Sequence, residues 1–218
     1  MSTDTPEFWD GIWADIEDCG SGSDQILAQQ VERLTPGRAL EIGCGTGGNA
    51  VWLAKKGWQV TAVDISAVAI EKGKRLAAEH GVNIEFVVAE AATYQPQLAY
   101  DLITCFYIQM FPPQRANMLA NMSKTLAPGG TLLFVSHDKS GLPSGWSEED
   151  LLSLTTPEEI VAELSELQIE QAFVLTADAE GTHASHMHRD GSGHGSHETQ
   201  DSHGSNSTIL RAIRPKTT

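Results

Sequence analysis

Leu40-Glu41-Ile42-Gly43-Cys44-Gly45-Thr46-Gly47-Gly48 runs from an apolar segment, through one acid, into a turn with glycine at nearly every second position. Ala39 to Ile42 reads as a short buried strand and Gly48 to Lys56 as a helix, so the glycines occupy a strand-to-helix connection. Side chains at Gly43, Gly45 and Gly47 would fill the space in which a ligand approaches the backbone. The turn alone suits several nucleotide-like ligands, including a dinucleotide whose pyrophosphate would rest on the helix N-terminus.

Working outward, Gln59 to Val63 is a β-branched strand, which completes a βαβ unit. A helix follows from Ser66 to His80, then an apolar strand from Ile84 to Val88 that suits a parallel sheet covered on both faces. Tyr100 to Phe106 reads as a fourth strand, Pro112 to Leu126 as a helix and Thr131 to Ser136 as a fifth strand, with Pro128-Gly129-Gly130 as the turn between the last two. A helix from Pro157 to Leu167 and strands from Ile169 to Thr176 and Thr208 to Ile213 close the chain. The expected fold is α/β: a doubly wound, mostly parallel seven-stranded sheet of Rossmann-like type with a C-terminal antiparallel hairpin.

Two segments stand apart from this alternation. Phe8, Trp9, Ile12, Trp13 and Ile16 fall at helical spacing, and Asp24 can cap a second helix to Leu34, so residues 1–34 read as a helical cap. Residues 178–206 contain no Leu, Ile, Val or Phe and are rich in Gly and Ser, which marks an insertion without a core of its own. The main domain is therefore expected over residues 35–177 and 207–218, with the insertion between its last two strands.

The composition narrows the partners. A formal charge of −15 over 218 residues repels a phosphate backbone and an anionic membrane surface, so neither nucleic acid nor membrane is an expected partner. Acid is concentrated in residues 1–24 and 147–170, which hold seven and eight Asp or Glu and no Lys or Arg. Both stretches read as solvated surface, with attraction for a cationic substrate or a metal as the competing reading. Cys19, Cys44 and Cys105 form no CxxC pair, the N-terminus has no signal-peptide pattern and no apolar run spans a bilayer; a reducing cytoplasm is the expected location.

The identity of the nucleotide-like ligand turns on Glu41, Asp64 and the order of the last elements. A carboxylate at Glu41, ending the first strand, attracts the ammonium of a methionine moiety and would meet no such cation in NAD. Asp64 ends the second strand, where both its oxygens can accept from ribose hydroxyls, a feature shared with NAD folds. One helix and two successive strands after the fifth strand indicate a sheet closed by a hairpin rather than by a second mononucleotide half.

With Leu40 to Gly47, Val63-Asp64, Tyr100-Asp101-Leu102-Ile103 and Leu126-Ala127-Pro128-Gly129-Gly130-Thr131-Leu132, the chain from about Leu34 to Pro215 resembles the class I S-adenosylmethionine-dependent methyltransferases, the insertion excepted. The resemblance implies S-adenosyl-L-methionine as cofactor and a small-molecule, thiol or metalloid acceptor. It places Gly43, Gly45 and Gly47 beside the amino-acid part of the cofactor, with Cys44 as a small buried thiol within the turn, and makes Asp64 the ribose ligand and Ile65 a flank of the adenine. Glu90, followed by Ala91, is the nearest match to an acid that meets the adenine amino group, where Asp is the more usual residue. Cys105 and Phe106 fall near the methionine portion and the transferring methyl. Phe8-Trp9-Asp10-Gly11-Ile12-Trp13 is similar to the leader of the tellurite-resistance and thiopurine methyltransferase branch, which implies that Trp13 covers the cofactor; a helix that merely packs its stripe on the domain is the competing reading.

In-line transfer from a sulfonium demands alignment and exclusion of water, and a base only when the acceptor must lose a proton. Tyr107, after the fourth strand, and His137, followed by Asp138 after the fifth, are the candidates, His137 being favoured because it titrates near neutral pH and Asp138 could orient it. A histidine that only satisfies a loop carbonyl is the alternative. His183, His186, His188, His194, His197 and His203, interleaved with Asp190, Glu198 and Asp201, offer ligands for Zn, Ni, Co or Cu, against a solubilising insertion or tag-like affinity. A metal-binding or metal-responsive protein on the same scaffold is thus a second functional reading, and a nicotinamide oxidoreductase a third that Glu41 and the terminal strand pair disfavour.

Overall fold

The computed structural model describes residues 5–16, 24–141, 148, 150–176 and 206–216. The first helix, α1 (Pro6–Ala14), begins where the Thr5 hydroxyl accepts from the Phe8 amide at 3.2 Å and Pro6 supplies a preset φ. Asp24 caps α2 (Gln25–Val31) as its position predicts, accepting from the Ile26 amide at 2.7 Å. There follow β1 (Arg38–Ile42), α3 (Gly48–Lys55), β2 (Gln59–Asp64), α4 (Ala67–Glu79) with Ser66 as its cap, β3 (Ile84–Val88), β4 (Tyr100–Phe106), α5 (Pro112–Thr125), β5 (Leu126–His137), α6 (Pro157–Glu163), β6 (Gln168–Leu175) and β7 (Ser207–Ile213).

The seven strands form one mixed sheet in the order β3-β2-β1-β4-β5-β7-β6. Strands β3, β2, β1, β4 and β5 pair in parallel, whereas β7 runs antiparallel to both β5 and β6. "Mixed" therefore replaces "mostly parallel", because the closing hairpin contributes two full-length antiparallel ladders. The strand order reverses between β1 and β4, the place where the connections leaving the carboxyl ends of such a sheet diverge and ligands bind.

One face of the sheet packs Val60, Ala62, Leu102 and Leu133 against Ile26, Leu27, Leu53 and Ile70 of α2, α3 and α4. The other packs Leu40, Ile42, Ile103 and Phe134 against Met118, Leu119 and Met122 of α5 and Ile160 of α6. Arg115 and Glu163 join α5 to α6 through a two-pronged pair at 3.0 and 2.7 Å, the geometry that suits a guanidinium held out of water.

Three elements differ from their sequence reading. Strand β3 is the sheet edge and only partly covered: Ile84 and Phe86 pack on one core face and Val87 on the other, while Val88 is 53% exposed. Pro128-Gly129-Gly130 is drawn into β5 rather than standing as a turn, because the Gly129 amide donates to Arg214 O at 2.8 Å and the Arg214 amide donates to Gly130 O at 3.0 Å. Helix α6 stops at Glu163, where tight turns to Leu164 and Leu167 carry both side chains into the core. Among the described residues, no helix is long and apolar enough to cross a membrane.

Candidate cofactor site

The turn after β1 is built almost wholly from backbone. Gly43, Gly45 and Gly47 hold φ of 69°, 51° and 77°, left-handed values that glycine adopts without the clash a Cβ would bring. The Gly43 and Cys44 amides donate to Val63 O at 2.8 and 3.0 Å, which ties the turn to the end of β2. The space above each glycine is taken: an added Cβ would lie 3.0 Å from Ile108 Cδ1 at Gly43, 2.8 Å from Trp13 Cζ2 at Gly45 and 3.2 Å from Phe86 Cε1 at Gly47.

Two buried carboxylates flank this turn. Asp64 accepts from the Gly45 amide through Oδ2 at 2.8 Å and from the Ser66 amide through Oδ1 at 2.9 Å. Burial pushes its pKa up, and those backbone bonds pull against the rise. Glu41 is 2% exposed, takes hydrogen bonds from the Asn49 side chain and the Ala50 backbone, and leaves Oε2 without a partner. Burial raises it from 4.5 to about 8, with the charge of Asp64 adding to the rise. An orphaned buried carboxylate oxygen is costly unless a donor or cation arrives to meet it.

Comparison with known proteins accords with this geometry. Residues 39–130 match the model of a methyltransferase domain. A probable thiol methyltransferase of Arabidopsis thaliana is 32% identical over 155 residues, covering 66% of this chain and 68% of that protein.

The chain belongs to the S-adenosylmethionine-dependent methyltransferases.

Within that family, the ubiquinone biosynthesis O-methyltransferase of Klebsiella pneumoniae (strain 342) is 29% identical over 118 residues, 53% of this chain and 48% of that protein, so the chain spans about half the length of this relative. The N-methyltransferase NodS from Bradyrhizobium japonicum WM9, solved with S-adenosyl-L-homocysteine, shares the fold with a TM-score of 0.69 at 18% identity, covering 98% of this chain and 100% of that one. TehB from Haemophilus influenzae shares it at 0.65 and 15% identity, covering 97% and 67%.

For this family member the remaining residues fall into two groups. The Ala89 amide donates to Asp64 O at 2.9 Å, which draws the start of the loop after β3 against the end of β2 and sets exposed Glu90 and buried Ala91 beside Asp64 and Ile65. Cys105 and Phe106 end β4 one strand over from Glu41 and Ile42; burial, with the charge of Glu41 adding to it, pushes the Cys105 thiol up to about 12. The Cys44 thiol is raised for the same reasons, with Asp64 the larger of the two charge contributions. Neither thiol is a nucleophile in such surroundings.

Tyr107 and His137 meet, their rings 4.8 Å apart, and Tyr107 shares a hydrogen bond of 3.0 Å with Ser207 Oγ. Burial lifts the Tyr107 hydroxyl to about 12, which keeps it a neutral phenol. Tyr107 also holds φ of 53°, a strained value for an aromatic residue and the one positive φ outside glycine among the described residues. Asp138 does not serve as the orienting partner of His137 expected above: its oxygens accept from Ser140 Oγ and from Thr208 Oγ1, each at 2.5 Å. Burial raises Asp138, and these bonds more than offset it, leaving the carboxyl below its ordinary range.

Asn49, Asp10, Ser66 and Lys72 went unnoticed in the sequence. Ser66 carries the ordinary signal of a helix cap, but nothing marks Asn49, which joins Glu41 to the Asp24 amide 25 residues before it, or Asp10, which acts across 56 residues. The six histidines of residues 183–203 lie outside the described residues; among those described, no group of three or more His, Cys, Asp or Glu is placed to hold a metal.

Proposed function

We propose that this chain transfers the methyl group of S-adenosylmethionine to a small soft nucleophile, with a thiol as the favoured acceptor and a metalloid as the alternative within that class. The observation that carries the reading is the orphaned Oε2 of Glu41, fully buried beside a turn that three left-handed glycines hold in shape. Two buried acids at adjoining strand ends favour a ligand whose ammonium and sulfonium let them ionise, and the pyrophosphate of a dinucleotide offers them no such cation. Glu41 would hold the ammonium, Gly43 to Gly47 the amino-acid portion, and Asp64 the ribose, since each of its oxygens retains an accepting lone pair. Ile65, Glu90 and Ala91 would flank the adenine, and Trp13 would close the site over Gly45.

When bound, S-adenosylmethionine supplies an electrophilic methyl, so the protein's work is alignment and exclusion of water. Cys105 and Phe106 would wall the methyl side, and His137, whose ring meets that of Tyr107, would take the acceptor proton. Tyr107 stays protonated at neutral pH and so offers no phenolate to act as a base; its role would be to position His137. The thiol preference rests on the 32% identical relative named a probable thiol methyltransferase. Two buried free cysteines suit the reducing cytoplasm.

The test is formation of S-adenosylhomocysteine from S-adenosylmethionine with thiols, selenite, tellurite, phenols and small amines, alongside calorimetry with S-adenosylmethionine and NADH. Thiol-dependent turnover and no heat with NADH are expected; NADH binding in its place would overturn the reading. His137→Gln should slow any phenol reaction about 100-fold and leave an ionised thiol nearly untouched.

A further inference from the structure

Helix α1 half-buries its apolar stripe of Phe8, Trp9, Ile12 and Trp13 but contributes none of the fully buried core, so apolar packing alone holds it weakly. Polar links add to it. Asp10 Oδ1 accepts from Ser66 Oγ at 2.6 Å and from the Val68 amide at 3.1 Å, which places its charge at the N-terminus of α4. Ser66 Oγ in turn accepts from the Ala69 amide at 3.0 Å, so Asp10 and Ser66 cap α4 together. At the C-terminal end of α1, Lys72 Nζ donates to the carbonyls of Trp13 and Ile16, both at 2.5 Å, meeting acceptors that the helix end leaves open.

These links close a ring that passes through the cofactor site. The Ser66 amide donates to Asp64, Asp64 accepts from the Gly45 amide, and the indole of Trp13 covers Gly45. Trp13 returns to Asp10 through a single turn of α1. The ring orients the carboxylate assigned to the ribose and fixes the aromatic wall opposite it at the same time.

We propose that Asp10 and Lys72 are positioning residues of the cofactor site, latching α1 onto α4 so that Trp13 is seated over Gly45 and Asp64 is held in its binding orientation. The proposal rests on the methyltransferase reading for the identity of the ligand, but not for the latch. Seating then depends on two contacts, one at the middle of α1 and one at its C-terminal end, and either can be removed without opening the core.

The experiment uses the full chain with S-adenosylhomocysteine as the probe. Calorimetry on wild type, Asp10→Ala, Asp10→Asn and Lys72→Met should give a Kd about tenfold weaker for Asp10→Ala and for Lys72→Met. Asp10→Asn, which keeps the accepting oxygen, should recover most of the loss, an outcome a diffuse structural role would not produce. In ligand-free protein, acrylamide quenching of Trp13, isolated by difference against Trp13→Phe, should rise in Asp10→Ala and Lys72→Met while the melting temperature stays within a few degrees. Unchanged Trp13 quenching in both variants would overturn the latch, as would wild-type affinity in both. Failure of wild type to bind the probe would instead overturn the methyltransferase reading, with the ligand-free quenching still deciding the latch.

Discussion

The two ends of the proposed site are made differently. At the end proposed for the cofactor, the run from Glu41 to Gly48 contributes chiefly through backbone geometry and is met by Asp64, 19 residues from Gly45. At the end proposed for the acceptor, Tyr107, His137 and Ser207 come from the ends of β4, β5 and β7, and the hydrogen bond that joins the first to the last crosses 100 residues. A site written in backbone conformation demands glycines at fixed places. A site written in side chains from distant strands leaves no local pattern.

Replacing Glu41 by Gln should break the first end most severely. The ammonium of the ligand would lose its buried countercharge, and binding of S-adenosylmethionine should weaken about 100-fold by calorimetry. The pH dependence should change with it. Glu41 holds its proton up to about 8 in the ligand-free fold, so binding a cation there expels a proton at neutral pH. Affinity in the wild type should therefore tighten as pH rises toward 8, by roughly tenfold per unit, and this slope should vanish in Glu41→Gln. The stability of the ligand-free protein should move the opposite way. The unfolded chain releases this proton near 4.5 and the folded one near 8, so stability falls as pH rises across that window and the variant loses the slope.

Gly45→Ala tests the claim that backbone conformation holds the cofactor. A Cβ at φ of 51° costs about 1–2 kcal/mol in conformation alone, and it would meet Trp13 Cζ2 at 2.8 Å. Binding should fall about thirtyfold, with acceptor KM unchanged at saturating cofactor. A change in acceptor KM of the same size would show that the two ends are one unit.

The same contrast explains what could be read in the sequence. The strand-turn-helix around Gly43, the cap at Asp24 and the terminal strand pair were legible because each is dictated by nearby residues: φ that only glycine tolerates, a carboxylate one step before a helix, alternation bounded by breakers. Tyr107 and His137, singled out by position at strand ends, do meet, yet the partner expected for His137 was the sequence neighbour Asp138, whose oxygens instead go to Ser140 and Thr208. Adjacent residues on a strand point to opposite faces, so proximity in sequence favours the wrong pair. The edge position of β3 was equally hidden, because an apolar run looks the same at the centre of a sheet and at its rim until the strand order is known.

Tyr107→Phe should give the smallest effect and the sharpest one. It removes a single hydroxyl, leaves the ring against His137 and leaves the strained φ in place. The lost bond to Ser207 should cost about 1 kcal/mol, lowering the melting temperature by about 2–4 °C in a chain of this size. Cofactor Kd should stay within about twofold, because no atom of Tyr107 forms the glycine turn or its two acids, while turnover falls about threefold as the His137 ring gains freedom. A cofactor Kd that moved as far as in Gly45→Ala would mean that Tyr107 acts through Asp24, whose charge reaches its hydroxyl and whose amide is held by Asn49, the residue that also binds Glu41. The boundary between the two ends would then run through α2 rather than between β1 and β4.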